Sequence, residues 1–446
     1  MQTDKTTLKD LSFFAAGDRG IFQLLDHTTT LAGKEQLRKH ILSPPDSFEE
    51  LFSLQEAIRF FSSQPEAWTS IISNGTLVLL EKFFESADGV AAPQSGFNLA
   101  FNSFLHRFLN IGELSFTQFS ISHLSDFIRG CNELIALQEN HNLPSRLRVV
   151  LEEMNDEIKN QRLAVEIISV RKDTSYKDLA RLSYLARREM KNAIYRLMQH
   201  YGKLDAWHAM AVAAVKNNWT FPVLQPSFPV CMYGKELYHP LLKQPIAYEI
   251  NFSEDCNFLL LTGANMSGKT TFMRSLGVSA LLAHLGTGVP AKDFRISFLQ
   301  GIITNMHVED NLMEGESYFF AEVKRIKQTA ERLQEPVPHL VLMDELFKGT
   351  NVHDAYECTK AVVDGLLNYS RHLMVLSTHL YEVAQQFKDR TDISFSYFVT
   401  DLAEDGNYSF KYELKSGISN DRIGYRILQK EGVLDLLQGR KDKSQP

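Results

Sequence analysis

The sequence predicts a multidomain protein in which an N-terminal all-α region is followed by a C-terminal α/β domain. Its 446 residues exceed what one compact core usually holds, which favours two or three domains. Apolar residues recur near helical spacing early in the chain, and residues 148–172 and 176–203 have the pattern of two long polar helices. In the second half, short apolar runs alternate with helical stretches, which is typical of a parallel sheet. We therefore expect one domain over residues 1–220 and the other over residues 221–446.

The composition indicates a globular protein in a reducing compartment. Hydrophobic residues make up 44% of the chain, but the longest apolar runs are far too short to span a bilayer. The first residues lack the apolar stretch of a secretory signal. The four cysteines are scattered and form no CxxC pair, which argues against a zinc site or a disulfide framework. We expect a cytoplasmic protein without a membrane partner.

The formal net charge of −7 does not support nucleic-acid binding, but one predicted helix has a local basic face. Between residues 171 and 203, nine lysines and arginines stand against three acidic residues. At about 100° per residue, one side of this helix is apolar and comprises Leu179, Leu182, Ala186, Met190, Ala193 and Leu197. The opposite side carries Lys177, Arg181, Arg188 and Lys191. This basic face is either a sequence-independent contact for DNA phosphates or a solvated helix surface.

A phosphate-binding motif is present at residues 263–270. Gly263, Ala264, Asn265, Met266, Ser267, Gly268, Lys269 and Thr270 match G-x-x-x-x-G-K-[ST] at every fixed position. A strand-like apolar run ends at Thr262 and a helical pattern begins at Thr271, which is the context that a P-loop requires. The backbone N–H groups of such a loop surround phosphate oxygens, with Lys269 expected on the β- and γ-phosphates and Thr270 on Mg²⁺. The motif therefore predicts that ATP binds here together with Mg²⁺.

Two later strand-like runs end in residues suited to phosphoryl transfer. The run that begins at His339 ends in Asp344, which can hold Mg²⁺, and Glu345, which can orient or deprotonate the attacking water. The next run ends at His379, the position of a γ-phosphate sensor in ABC-type ATPases. Following a P-loop in this order, the runs predict an ABC-type P-loop NTPase domain with Lys269, Glu345 and His379 as catalytic residues.

These motifs resemble those of the MutS family of mismatch-repair ATPases. Residues 262–271 read TGANMSGKTT, similar to the family's TGPNMGGKST, and residues 342–350 read LMDELFKGT, similar to LMDEIGRGT. Ser377-Thr378-His379 is similar to the family's (A/T)TH, and residues 309–322 are similar to its DDL…GxSxFxxE signature. The resemblance implies that Thr271, like the loop before it, belongs to the nucleotide site.

The resemblance extends upstream of the nucleotide motif. Residues 24–33, LLDHTTTLAG, are similar to the start of the MutS core domain, and residues 203–207, KLDAW, are similar to the segment that ends the family's lever helices. Residues 1–220 are therefore expected to form a helical core and lever region. The resemblance implies a short form without the family's mismatch-recognition and connector domains, in which Asp173-Thr174-Ser175 replaces the clamp domain.

The resemblance also implies a homodimer. In ABC-type ATPases two subunits enclose the nucleotides, and the signature of one subunit contacts the γ-phosphate held by the other. Ser317 would then act in trans, and it can equally serve as the N-cap of the helix that follows. Ile246 and Tyr412 stand where the family places the residues on the two faces of adenine.

Three functions are compatible with these observations. The first is a nucleotide-switched ATPase that acts on DNA and transmits the closure of a dimer through lever helices. The second is the ATPase subunit of a transporter, which the lack of an LSGGQ-type signature disfavours. The third is a nucleotide-binding scaffold with little turnover, which the pair Asp344 and Glu345 disfavours.

Overall fold

The computed structural model describes residues 1, 4–15, 20–86, 111–171, 173–264, 266–306, 318–402, 408–419 and 433–437. The chain divides into two compact units. The sheet unit contains Met1–Gln23, Ser43–Leu51 and Asn217–Pro446, and the helical unit contains Leu24–Leu42 and Phe52–Lys216. The division into residues 1–220 and 221–446 stays a prediction, and it differs from these units because the sheet unit includes the start of the chain.

In the first half of the chain, the elements that the structure describes are helices. Their bounds are α1 Lys5–Asp10, α2 Ile21–Leu25, α3 Leu31–Leu42, α4 Phe48–Ser63, α5 Asn74–Glu85, α6 Ile111–Ile135, α7 Ser145–Lys159, α8 Leu163–Ile168, α9 Tyr176–Leu185 and α10 Lys191–Lys216. These helices agree with the helical region expected from the sequence, whose complete arrangement stays a prediction. Across the described parts of the chain, no helix is long and apolar enough to cross a membrane.

The two predicted polar helices differ from the observed ones in length. The prediction of one helix over residues 148–172 is wrong, because α7 ends before Asn160 and the chain turns there before α8 begins. Asparagine is a poor interior helix residue because its side chain competes for backbone hydrogen bonds. The helix expected over residues 176–203 continues to Lys216, and a π-helical turn, Ala186–Met190, joins α9 to α10.

The predicted apolar side of that second helix is confirmed by burial. Its members are at most 3% exposed, and they are Leu179, Leu182, Ala186, Met190, Ala193 and Leu197. Most of the small and apolar residues that follow are also buried, up to Ala214. Burial of this continuous stripe explains why the helix extends past the predicted end, because packing of an apolar face stabilises helices more than local propensity does.

Within its described residues, the sheet unit contains two sheets. The larger consists of β4 Phe258–Thr262, β6 Gly301–Asn305, β7 His339–Asp344, β8 Leu373–Thr378, β9 Ile393–Leu402 and β10 Tyr408–Ser416, in the order β10-β9-β4-β8-β7-β6. The smaller consists of β1 Val223–Gln225, β2 Met232–Leu237, β3 Tyr248–Phe252 and β5 Asp293–Ser297, in the order β1-β5-β2-β3. The helices of this half are α11 Lys269–His284, α12 Tyr318–Leu333, α13 Val352–Leu366, α14 Tyr381–Gln386 and α15 Val433–Leu437. The expected α/β character is confirmed.

The larger sheet is mixed rather than wholly parallel. Strands β9, β4, β8, β7 and β6 are parallel, whereas β10 runs antiparallel to β9. The antiparallel pair is the hairpin expected from the alternating residues near the end of the chain, and its expected turn at residues 404–407 lies outside the described residues. Strands β4, β6, β7 and β8 are buried at every position, as parallel strands covered on both faces usually are.

The start of the chain packs on the edge strand β6 of the larger sheet. The hydroxyl of Thr7 in α1 donates to the carbonyl of Ile302 at 3.2 Å. The buried carboxylate of Asp10 accepts from the hydroxyl of Thr304 at 2.7 Å and from the N–H of Met306 at 3.3 Å. Helix α1 therefore covers an edge that would otherwise be open to pairing with another chain.

In the helical unit, one buried carboxylate joins α10 to the segment before α3. Asp205 is fully buried, and its two oxygens accept from the N–H groups of Thr29 and Thr30, both at 2.9 Å, and from their hydroxyls at 3.1 and 2.7 Å. Burial raises the pKa of Asp205, although these hydrogen bonds oppose the shift. A Cβ on Gly33 would lie 2.1 Å from Asp205 Oδ2, so the close approach requires glycine. The two upstream motifs of the sequence therefore meet at one contact.

Replacing Asp205 by Asn is expected to destabilise the helical unit. Both carboxylate oxygens face a backbone N–H, so the amide nitrogen of asparagine must face one of these donors, at a cost of about 1–3 kcal/mol. Urea unfolding followed by the fluorescence of Trp68 and Trp207, in a Trp219→Phe background, measures the change in this unit. Asp156→Asn, at an exposed position of α7, is the matched control. Equal unfolding midpoints for the two variants would contradict the prediction.

Candidate nucleotide-binding site

The loops that carry the predicted residues begin side by side at one edge of the larger sheet. Strands β4, β8 and β7 are parallel neighbours, so their carboxyl ends lie together. The register pairs Thr262 with Thr378 and Asp344 with Ser377. Ligands of open α/β sheets bind at this edge, outside the carboxyl ends of the strands.

The loop after β4 has the backbone of a phosphate-binding loop. Gly263 and Gly268 have φ angles of 141° and 111°, in the region that favours glycine. A Cβ on Gly268 would lie 3.2 Å from a ring carbon of Tyr412, so a larger residue would crowd that ring. Met266 also has a positive φ, and its side chain is 80% exposed. Helix α11 begins at Lys269, so the N–H groups of its first turn face the loop.

Lys269 is folded into the loop. Its side chain is 4% exposed, and its ammonium donates to the carbonyls of Gly263 at 2.7 Å and Ala264 at 3.0 Å. The same ammonium lies 3.2 Å from Glu345 Oε1, which offsets the cost of burying a charge. Ser267 is also buried, and its hydroxyl has no hydrogen-bond partner within the described residues. An ammonium and an unpartnered hydroxyl inside a glycine loop suit a phosphate group.

Thr270 and Asp344 form a second contact between the loops. The hydroxyl of Thr270 donates to Asp344 Oδ2 at 2.6 Å, and the hydroxyl of Ser377 donates to Asp344 Oδ1. Ser377 is fully buried and Asp344 is 9% exposed, so both carboxylate oxygens have fixed directions. A hydroxyl and a carboxylate oxygen are the hard ligands that Mg²⁺ takes, and these two are close enough to share one ion. The residues present therefore fit the predicted metal site.

Glu345 lies among three basic side chains. Besides Lys269, its carboxylate is 3.4 Å from the ammonium of Lys348 and 3.9 Å from Nδ1 of His379. Burial by itself would raise the pKa of Glu345, but these three neighbours outweigh burial and lower it. The carboxylate is therefore ionised at neutral pH. His379 is 53% exposed and stands at the rim of the site.

The other predicted nucleotide residues lie around this centre or outside the described residues. Thr271 is in the first turn of α11 and is half-buried. Tyr412, on β10, lies over the phosphate loop and is 42% exposed. Ile246, between β2 and β3, is 36% exposed, and its pairing with Tyr412 around adenine stays a prediction. Asn265 and Ser317 lie outside the described residues.

Of the four predicted DNA-contacting residues, Arg188 lies within the π-helical turn and the other three lie before or after it. Lys177, Arg188 and Lys191 are exposed, whereas Arg181 is only half-exposed and forms an ion pair with Glu166. A π-helical turn takes up more residues than an α-helical one, so the positions before and after Ala186–Met190 do not follow the uniform spacing assumed from the sequence. The basic face expected for this helix stays a prediction. The contact with DNA itself stays a prediction.

Three residues near the site were not predicted. Ser377 fixes Asp344, and only the register of β7 and β8 shows this contact. Lys348 reaches Glu345 because the chain turns sharply after β7. Glu322, in α12, accepts from the N–H groups of Lys348 and Gly349 at 3.4 and 3.5 Å. All three residues lie inside motifs recognised in the sequence, and this was the available signal for them.

A mainly parallel sheet with a glycine-rich loop and helix after a central strand, and with an Asp-Glu pair after a nearby strand, defines a P-loop NTPase domain. A family model described as MutS domain V matches residues 259–438. This match identifies residues 259–438 as similar to the ATPase domain of the MutS family, as the motifs led us to expect.

Several curated proteins are similar to this chain over slightly more than half of its length. The DNA mismatch repair protein MutS of Persephonella marina is 28% identical over 249 residues, which covers 55% of this chain and 28% of that protein. The DNA mismatch repair protein msh3 of Aspergillus fumigatus is 28% identical over 260 residues, covering 55% of this chain and 23% of that protein. The DNA mismatch repair protein MutS of Wolbachia pipientis is 29% identical over 242 residues, which covers 53% of this chain and 27% of that protein. The match spans about a quarter of the length of each relative.

Replacing Thr270 by Val is expected to weaken nucleotide binding only when Mg²⁺ is present. Valine keeps the shape of threonine but removes the hydroxyl beside Asp344, so we expect the affinity for ATP with Mg²⁺ to fall at least about 10-fold. Calorimetric titration with a non-hydrolysable ATP analogue, with Mg²⁺ and with EDTA, measures both affinities. Thr270→Ser keeps the hydroxyl and should behave like the unchanged protein. Equal affinities of the Val and Ser variants with Mg²⁺ would count against Thr270 as a metal ligand.

Proposed function

We propose that this protein binds ATP with Mg²⁺, hydrolyses it and uses the cycle to act on DNA. The observation that carries the proposal is the pair of contacts between the phosphate loop and the end of β7. Lys269 lies 3.2 Å from Glu345, and Thr270 lies 2.6 Å from Asp344. Lys269, Thr270, Asp344 and Glu345, which the motifs assign to one reaction, are therefore close together at one end of the sheet.

The ion pair between Lys269 and Glu345 supports a division of roles during hydrolysis. A γ-phosphate held by the loop competes with Glu345 for the ammonium of Lys269, since both are anions and phosphate carries more charge. Glu345 is then left ionised at the edge of the phosphate site, where it orients the attacking water or accepts its proton. Mg²⁺, when bound by Thr270 and Asp344, supplies neutralisation of charge on the β- and γ-phosphate oxygens.

His379 and the rim of the site support the proposed arrangement of the γ-phosphate. His379 lies 3.9 Å from Glu345 and has an exposed ring, so it can meet a phosphate that enters the loop. We extend the proposal to a homodimer in which Ser317 of one copy reaches the nucleotide of the other. Closure of that dimer would be transmitted through α9 and α10, the counterparts of lever helices. Ile246 and Tyr412 are proposed to hold the adenine.

Action on DNA is supported by the names of the relatives, which are DNA mismatch repair proteins. The exposed basic residues of α9, the π-helical turn and α10 are the proposed phosphate contacts. Arg181 should contribute least because its charge is already paired with Glu166. The relatives do not favour the transporter alternative, whereas a scaffold with little turnover is distinguished only by measuring hydrolysis. The cytoplasmic location stays a prediction.

Replacing Glu345 by Gln is expected to trap ATP. The amide cannot accept a proton, so we expect phosphate release to fall by about 10²- to 10⁴-fold while ATP stays bound. Phosphate release and retained radiolabelled ATP measure the two effects, and sedimentation in ATP should show the trapped protein as a dimer. Lys269→Ala should bind little ATP and stay monomeric. Glu254→Gln, in an exposed turn, is the control that should match the unchanged protein. Unaltered turnover in Glu345→Gln would exclude Glu345 from the proposed role.

Removing the exposed basic residues of the lever helices is expected to weaken DNA binding at low salt. In a variant with Lys177, Arg188 and Lys191 changed to Ala, we expect the slope of log affinity against log salt to fall by about 2 to 3, since each lost phosphate contact removes about one counterion. Filter binding of a duplex at several salt concentrations measures the slope. The control changes three other exposed lysines, Lys235, Lys327 and Lys388, to Ala. Identical slopes in the two variants would identify the basic residues as solvated surface.

A further inference from the structure

A buried carboxylate from α12 lies under the loop that carries Glu345. Glu322 is 5% exposed, and its Oε1 and Oε2 accept from the consecutive N–H groups of Lys348 and Gly349 at 3.4 and 3.5 Å. Burial raises the pKa of Glu322, while the N–H groups of the loop, including that of Phe347, oppose the shift. A carboxylate this deeply buried requires such partners.

The loop above Glu322 has a conformation that it would not adopt without support. Glu345 and Phe347 have φ angles of 53° and 62°, in the left-handed region that residues with a side chain rarely occupy. Such conformations persist only where the surroundings hold them in place. A chain in this conformation turns successive N–H groups to one side and forms a concave anion site. Glu322 supplies the anion for that site from within the protein.

We propose that Glu322 is a positioning residue for hydrolysis, which holds the 345–349 loop so that Glu345 and Lys348 face the nucleotide. The inference rests on the function proposed above and adds to it a connection between α12 and Glu345. At one end of the loop, the N–H of Glu345 is fixed by the carbonyl of Ser377 at 3.0 Å. At the other end, the two N–H groups are fixed by Glu322. The loop is therefore held at both ends, by β8 and by α12.

This arrangement makes the direction of Glu345 depend on the position of α12. The helix begins at Tyr318, directly after the segment that contains Ser317. A displacement of α12 would move Glu322, and the N–H groups bonded to it would follow. We therefore expect Glu322 to affect the rate of hydrolysis through Glu345 and to leave ATP binding, which depends on Lys269 and Thr270, nearly unchanged.

The test replaces Glu322 by Gln, whose amide nitrogen would face one of the two N–H donors. We expect kcat to fall by about 10- to 100-fold, because a displacement near 1 Å of a catalytic group has an effect of this size. The KM and the affinity for a non-hydrolysable ATP analogue should stay within about 2-fold of the values for the unchanged protein. The reason is that the contacts that bind ATP equally in the ground state and the transition state are unaffected. Glu331→Gln, on the exposed side of the same helix, is the matched control and should change neither quantity.

The double variant Glu322→Gln with Glu345→Gln separates positioning from a general loss of structure. If Glu322 acts through Glu345, the double variant should hydrolyse ATP no more slowly than Glu345→Gln alone. Additive losses, or a loss of analogue binding equal to the loss of kcat, would overturn the proposal.

A second measurement does not depend on hydrolysis. Amide hydrogen exchange in residues 347–349 should become about 5- to 30-fold faster in Glu322→Gln, while the loop at 263–268 exchanges as before. Unchanged exchange in residues 347–349 would overturn the proposal even if kcat falls. If the unchanged protein does not hydrolyse ATP, the proposed function fails, whereas the exchange result still decides whether Glu322 holds the loop.

Discussion

The parallel register of β4, β8 and β7 is the constraint on which the nucleotide site depends. It pairs Thr262 with Thr378 and Asp344 with Ser377, so the phosphate loop, the acidic pair and His379 begin at the same level of the sheet. A slip of one residue in either pairing would turn Asp344 away from Thr270, because successive side chains of a strand point to opposite faces. Burial of all three strands on both faces makes such a slip costly.

The buried charged side chains described at this site are compensated by opposite charges or hydrogen bonds. Lys269 is almost fully buried, and it is stabilised by two loop carbonyls and by Glu345. Lys269, Lys348 and His379 in turn lower the pKa of Glu345 in spite of its burial. Entry of a phosphate would exchange one anionic partner of Lys269 for another. The site is therefore organised for an anion before one arrives, which lowers the reorganisation needed for catalysis.

Buried carboxylates fix backbone segments in both units. In the helical unit, Asp205 accepts the N–H groups of Thr29 and Thr30. In the sheet unit, Glu322 accepts those of Lys348 and Gly349, and Asp10 accepts that of Met306. In each case an acidic side chain accepts hydrogen bonds from N–H groups of a segment outside regular secondary structure, and buried irregular backbone requires such partners.

The sequence by itself determined the parts of this protein that depend on neighbouring residues. The glycines and Lys269 of the phosphate loop, the buried run before Asp344 and the apolar stripe from Leu179 to Leu197 could all be recognised, since loop geometry and helix periodicity are local properties. Composition and periodicity also predicted helices followed by an α/β domain, and the recognised motifs predicted the similarity of residues 259–438 to MutS domain V.

Only the tertiary structure decided the contacts between residues far apart in the chain. These include Ser377 on Asp344, Glu322 under the 345–349 loop, and α1 on the edge strand β6. The break after α7 and the π-helical turn before Lys191 also escaped prediction. Each depends on the register of strands or on the packing of a helix against its neighbours, and neither quantity is fixed by the residues adjacent in sequence.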